Sequence, residues 1–180
     1  MRNRVRREMT AARRALDPRE AERMSRTIAD RIRTLDWYRR AEIVMIYRAV
    51  RGEVILDTLS GDTKTFCWPY IVDTGRIAAL SPLCEDGWRT GKFGIPEPVP
   101  EKSRLILSSE IDLVICPCTA FDAGLMRMGM GGGYYDRFLP DCVNAKLIAA
   151  AYDFQRVEHI PSEPWDVAMN AVVTEKRVYI

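Results

Sequence analysis

Ile111-Asp112-Leu113-Val114-Ile115-Cys116 decides the fold. Apolar, largely β-branched residues run here almost without a break, as in a strand buried on both faces, and such strands belong to parallel sheets covered by helices. Moving towards the C-terminus, residues 119–133 are rich in Gly and Met and read as loop. Tyr134–Leu139 reads as a helix, Leu147–Tyr152 as a second buried strand and Ala171–Thr174 as a last short one. On the N-terminal side, Ile43–Tyr47, Thr65–Pro69 and Ile77–Leu83 have strand composition. Gly52-Glu53 interrupts the chain after the first of these, Val54–Leu59 reads as a short helix, and residues 84–104, rich in Gly, Pro and charge, read as a long loop. Ahead of all the strands stands a helical pair. Val5, Met9, Ala12 and Leu16 recur at helical spacing, predicting an apolar stripe. Asp17-Pro18-Arg19-Glu20 is a helix start, with Asp17 as cap and Pro18 at the first position. That second helix is predicted to reach about Leu35 and to bury Ala21, Met24, Ile28 and Ile32. Strands alternating with helices predict an α/β layer fold with a mostly parallel sheet.

The chain has 180 residues, the length of one domain, and 47% of them are apolar, enough for a sizeable core. Its net charge of +2 argues against wholesale nucleic-acid binding. The charge is nonetheless uneven. Arg2, Arg4, Arg6, Arg7, Arg13 and Arg14 face only Glu8 in the first sixteen residues, which suits either a docked anion or a solvated helix face. Five cysteines without regular spacing, one histidine and no CxxC pair speak for ordinary buried thiols in a reducing compartment, the cytoplasm, and against structural zinc. No stretch approaches the length of a membrane span. The basic start could serve as a transit peptide, but the same residues make a good mature helix.

Chemistry concentrates in Arg127-Met128-Gly129-Met130-Gly131-Gly132-Gly133-Tyr134-Tyr135-Asp136-Arg137. Glycines let the main chain turn through positive φ and bring its N–H groups close to a ligand, and such groups before a helix bind phosphate. Arg127 and Arg137 flank the run, and Asp136 suits a cation bridging phosphate oxygens. The segment is neither a Walker A loop nor a dinucleotide fingerprint. By itself, a glycine-rich stretch is more often a flexible loop.

The longer string Phe121-Asp122-Ala123-Gly124, then Arg127-x-Gly129-x-Gly131-Gly132-Gly133-Tyr134-Tyr135-Asp136-Arg137, resembles the hallmark of the 5-formyltetrahydrofolate cyclo-ligase family. Further elements resemble that family in the same order. They are Arg2-Asn3-Arg4-Val5-Arg6, Tyr47 to Glu53, Phe93-Gly94-Ile95-Pro96-Glu97-Pro98, and Glu163-Pro164-Trp165-Asp166 followed by Val172-Val173-Thr174. The resemblance implies a three-layer α/β sandwich formed by residues 1–180 as a single domain, acting as a cytoplasmic monomer. It implies ATP as co-substrate, Mg²⁺ as cofactor and a folate as substrate, with no nucleic-acid or membrane partner. ATP would be held by Arg2, Arg6, Arg127, Met128, Gly129, Met130, Gly131, Gly132, Gly133, Tyr134 and Tyr135. The folate would meet Glu53, Phe93, Met130, Gly131, Gly132, Gly133 and Tyr134. Asp136 and Asp166 would hold the metal, with Arg127 and Asp136 catalytic. Arg2 stands where the family has a lysine, and an arginine fork is not a neutral replacement for an ammonium.

Plainer roles exist for several of these residues. Asp136 could pair with Arg137, Asp166 could be a turn residue, Glu53 could start a helix and Glu97 could be a rigid loop tip between prolines. The implied reaction is conversion of 5-formyltetrahydrofolate and ATP to 5,10-methenyltetrahydrofolate, ADP and phosphate. It needs no protein nucleophile, in keeping with the absence of a Gly-x-Ser-x-Gly elbow. Two other readings are a ligase or kinase using a different acceptor, and a nucleotide- or RNA-binding module built on the first helix. The second would show steep salt dependence and indifference to folate.

Overall fold

The computed structural model describes residues 1–180, apart from the side chain of Phe93. Three helices open the chain: α1 (Arg2–Arg14), α2 (Pro18–Thr34) and α3 (Asp36–Arg40). The strands are β1 (Ile43–Met45), β2 (Thr65–Asp73), β3 (Arg76–Pro82), β4 (Trp88–Thr90), β5 (Pro96–Pro98), β6 (Ser103–Ile106), β7 (Leu113–Pro117), β8 (Ala120–Phe121), β9 (Arg127–Met128), β10 (Lys146–Ala150), β11 (Ala171–Val173) and β12 (Val178–Tyr179). Helix α4 (Tyr134–Phe138) lies between β9 and β10.

Eight strands form the central sheet in the order β12-β11-β10-β7-β1-β2-β3-β6. The five from β11 to β2 are mutually parallel, and β12, β3 and β6 add antiparallel edges. From β1 the chain builds outward through β2, β3 and β6, then returns to β1's other side with β7 and builds outward again. The order of the strands therefore reverses between β1 and β7.

Side chains of the parallel strands alternate strictly between two cores. Val44, Phe66, Leu113, Ile115, Ile148, Ala150, Ala171 and Val173 pack on one face with Met24, Ile28 and Ile32 of α2 and Tyr38 of α3. Met45, Cys67, Val114, Cys116, Ala149 and Val172 pack on the other with Phe138 of α4 and the following Leu139 and Cys142. Helix, sheet and helix make the three layers. Asp17 caps α2 as its sequence position predicts, its Oδ1 accepting from the Arg19 and Glu20 N–H groups at 2.9 and 3.2 Å. The polar residue inside the fold-deciding run also has a task. Asp112 Oδ2 accepts from the backbone N–H groups of Glu42 and Ile43, both at 2.9 Å, and so aligns the start of β1 with β7.

Several expectations need correction. Val54–Leu59 is not a helix; a 3₁₀ turn covers Asp57–Gly61 instead. Residues 84–104 are not one loop, because β4 and β5 pair as a small antiparallel hairpin and β6 begins at Ser103. The stretch 119–133 contains the short β8–β9 pair. In α1, Val5 is buried but Ala12 is exposed, and Arg13 turns inward. Of the five thiols four are buried and Cys84 is exposed. Burial pushes the Cys116 and Cys118 thiols up to about 12, which leaves them unreactive. No helix is long and apolar enough to cross a membrane.

Replacing Asp112 with alanine leaves two backbone donors at the sheet's reversal point to find other partners. The expected cost is about 1–3 kcal/mol, read as a lower urea midpoint with an unchanged slope. A midpoint equal to that of the parent would contradict the role given to Asp112.

Candidate functional site

A cavity of about 630 Å³ opens at the carboxyl ends of the parallel strands. Its floor is built by Tyr47 beyond β1, Trp68 of β2, and Pro117 and Thr119 at the end of β7. It therefore lies at the reversal between β1 and β7, where the chain diverges to both sides and leaves a crevice that α/β sheets use for ligands. Arg2 and Arg6 of α1, the glycine loop, β5 and the segment from Glu163 to Asp166 form its walls.

One wall is ionic. Arg2 grips Asp166 with both arms, Nη1 to Oδ2 at 2.6 Å and Nη2 to Oδ1 at 3.2 Å, and also donates to the Pro161 carbonyl at 2.9 Å. Burial works against the Asp166 carboxylate, but the bonds from Arg2 and from the Glu163 N–H prevail and hold its pKa below the usual carboxylate range. Arg6 donates from Nε to the Gly129 carbonyl at 2.9 Å. Arg127 is 3% exposed and donates from Nη2 to Asp136 Oδ1 at 2.6 Å, while its buried Nε has no partner among the described residues.

The glycines between these charges are required by shape. Gly131 has φ +98°, and a Cβ there would stand 3.3 Å from the Arg6 guanidinium carbon; a Cβ on Gly132 would stand 2.7 Å from the Tyr134 ring. The loop thus passes flush beneath both side chains. The α4 helix that follows has only five residues, so its dipole is weak and the arginines supply most of the positive field.

Aromatic rings line the same cavity, Trp68 on its floor and Tyr134, Tyr135 and Trp165 beside the charged residues. The Arg48 guanidinium carbon lies 5.4 Å from the centroid of Trp68 and 4.2 Å from that of Trp88, and pairs with Asp57 at 2.9 Å. Trp68 Nε1 and the Tyr135 hydroxyl are buried and have no partner among the described residues. Glu53 is 7% exposed and accepts from the Val50 N–H at 3.1 Å. Its carboxyl is pushed up by burial, against the pull of that N–H and of Arg13 and Arg51. Glu97 is equally enclosed, pairs with Arg89 at 3.0 Å and lines the cavity, so it is not a loop tip.

Nearly all the residues singled out in the sequence meet here: Arg2, Arg6, Glu53, Arg127, Gly129, Met130, the three following glycines, Tyr134, Tyr135, Asp136 and Asp166. Met128 does not. It is fully buried in a separate cluster with Val5, Ala120 and Ile160, and fixes β9 to α1. Phe93's side chain lies outside the described residues. Arg48, Trp68, Glu97 and Trp165 line the site without having been singled out for it. Trp165 stood in a quoted string next to Asp166, Glu97 in the proline-flanked loop and Arg48 within the string from Tyr47 to Glu53, but Trp68 carries no motif that could have flagged it.

Among the described residues no three His, Cys, Asp or Glu side chains converge as a metal cage. Two carboxylates on one ionic wall, each already bonded to an arginine, fit instead a Mg²⁺ that takes most of its ligands from water and phosphate.

A crevice at a sheet's reversal point, lined by arginines, carboxylates, a glycine loop and aromatic rings, is the binding site of an α/β enzyme. Comparison narrows that class. The family model for 5-formyltetrahydrofolate cyclo-ligases matches residues 1–175, and the chain belongs to that family. It is 30% identical to the Escherichia coli 5-formyltetrahydrofolate cyclo-ligase over 93% of this chain and 96% of that one. It is 39% identical to the Mycolicibacterium smegmatis enzyme of the same name over 72% and 81%. The NMR structure of Aquifex aeolicus 5,10-methenyltetrahydrofolate synthetase superimposes with a TM-score of 0.87 at 28% identity, covering 98% of this chain and 91% of that one.

Replacing Arg2 with alanine removes the fork on Asp166. At neutral pH the expected loss of stability is about 2 kcal/mol, as for hydrogen bonds to charged groups. The folded Asp166 carboxyl titrates below its unfolded value. The contribution of the pair is therefore complete above the unfolded pKa, about 4, and fades as pH falls through the folded one. Urea titrations of both proteins at several pH values measure this; a stability difference independent of pH would contradict it.

Proposed function

We propose that this chain converts 5-formyltetrahydrofolate and ATP to 5,10-methenyltetrahydrofolate, ADP and phosphate in the cavity between β1 and β7. The observation that carries this reading is the meeting of the glycine loop, Asp136, Asp166 and Glu53 around one cavity that Tyr47, Trp68, Tyr134 and Trp165 also line. ATP phosphates would lie along the ionic wall, held by Arg2, Arg6, Arg127 and the loop from Gly129 to Tyr135. The folate would lie against Glu53, Tyr134 and Trp68; Trp68 Nε1 and the Tyr135 hydroxyl are buried polar atoms without partners among the described residues.

The chemistry explains why this wall arrangement suffices. A formyl amide oxygen leaves poorly; once it carries the terminal phosphoryl group of ATP it leaves as phosphate. The second nitrogen of the folate then attacks the formyl carbon and closes the ring, so the nucleophile is intramolecular. The protein supplies positioning and charge. Arg6 and Arg127 neutralise charge on the transferring phosphoryl group, and Arg127, fixed by Asp136, does so from a dry setting where a charge acts strongly. Mg²⁺, when bound, neutralises phosphate oxygens and fixes their geometry; Asp136 and Asp166 would hold it. Arg2 grips Asp166 with a fork that a lysine at this position lacks, so the Arg2 side chain has to share Asp166 with the metal.

Absorbance of the methenyl product tests the reading. Product is expected only when 5-formyltetrahydrofolate, ATP and Mg²⁺ are all present. ATP binding without product would move the search to another acceptor. The Asp136→Asn variant is expected to lose about a hundredfold in rate at saturating Mg²⁺, the typical effect of removing one preorganised charge. A near-parental rate would remove Asp136 from the mechanism.

A further inference from the structure

Arg13 of α1 turns inward, away from the phosphate side of the site. Its side chain is fully enclosed, and Nη1 donates to the Cys118 carbonyl at 2.9 Å. The same nitrogen stands 4.0 Å from Glu53 Oε1. Nε and Nη2 are buried with no partner among the described residues. Enclosing a guanidinium so incompletely bonded is unfavourable unless its charge answers another charge. The answering charge is Glu53.

The backbone agrees with the side chains. Gly52 has φ +75°, and a Cβ there would stand 2.9 Å from the Arg13 carbonyl oxygen. The turn that carries Glu53 is therefore pressed against the last part of α1. The Cys118 carbonyl that Arg13 bonds also accepts from Gln155 Nε2 at 2.7 Å. Arg13 thus joins the turn after β1 to the chain leaving β7, the two segments that border the crevice. The same helix presents Arg2 and Arg6 at its other end.

We propose that Arg13 is a positioning residue that keeps the Glu53 carboxylate ionised and directed into the cavity, so that α1 sets both the phosphate side and the folate side of the site. This rests on the reading of Glu53 as the folate-side carboxylate. Burial pushes the Glu53 carboxyl upward, and the Val50 N–H, Arg13 and Arg51 pull it back. Tyr47, Tyr135 and Cys118 also face this group, and burial raises all three so far that they are neutral at working pH. Removing the Arg13 charge leaves only the Val50 N–H and Arg51 against burial. The carboxyl then takes up a proton at higher pH, and activity that needs the carboxylate is lost at correspondingly higher pH.

The test compares Arg13→Met, Arg13→Lys, Glu53→Gln and the double variant Arg13→Met/Glu53→Gln. The readouts are kcat/KM for 5-formyltetrahydrofolate against pH at saturating ATP, and the KM for ATP. Arg13→Met is expected to raise the folate KM about tenfold, the scale of one lost ionic contact in binding, and to move the acidic limb of the profile towards neutrality. The KM for ATP should stay within about twofold, Arg13→Lys should return the limb part of the way, and Arg13→Met should add nothing in the Glu53→Gln background. Equal losses for both substrates with an unmoved acidic limb, or additive losses in the double variant, would overturn the proposal. If Arg13→Met fails to fold, the limb of Arg13→Lys decides: a position equal to the parent's together with a raised KM for both substrates would refute it. A Glu53→Gln variant with the parent's folate KM would instead defeat the reading of Glu53 itself.

Discussion

The reversal of strand order between β1 and β7 is the constraint on which the rest depends. Parallel strands need crossovers, and crossovers that leave β1 in opposite directions cannot fill the space above the strand ends. Asp112 fixes β1 against β7 at the far end, and the chain opens at the carboxyl end into Tyr47 on one side and Thr119 on the other. Everything else that lines the cavity is brought over that opening by elements with their own reasons to pack. The helix α1 rests on the β8–β9 pair through Val5, Ala120 and Met128, and the β4–β5 hairpin rests on the sheet through the Trp68–Trp88 edge contact at 5.0 Å.

The site is organised as paired opposite charges. Arg2 holds Asp166, Arg127 holds Asp136 and Arg13 faces Glu53. Each pair is partly or wholly enclosed, where opposite charges attract more strongly than in water. The arrangement suits phosphoryl transfer, in which charge moves but little covalent work falls to the protein. It also explains the thiols: Cys116 and Cys118 lie beneath the site but are kept protonated by burial, so they pack and do not react.

Much of this was legible in the sequence, for physical reasons. The parallel strands announced themselves because burial on both faces demands continuous apolar runs, and α2 because Asp17 and Pro18 mark its start. The glycine string was legible because positive φ at Gly131 and close passage at Gly132 exclude other residues. Other features left no such trace. The strands β4 and β5 have three residues each, and prolines at both ends of β5 disguise it as loop. Glu97 is buried by the hairpin's fold, which nothing local encodes. Arg13 defeated the helical stripe because a long guanidinium can run inward where a short Ala12 cannot reach. Arg48 and Trp68 come together only once β1 and β2 are side by side.

In the proposed reaction the formyl oxygen departs as phosphate, with the ionic wall serving the phosphoryl group and no protein nucleophile taking part. The most direct measurement labels the formyl oxygen of 5-formyltetrahydrofolate with heavy oxygen and determines by mass spectrometry where the label goes after one turnover. The label is expected in the released phosphate, one atom for each methenyl product formed. Label found in water or formate, with unlabelled phosphate, would contradict the proposed reaction.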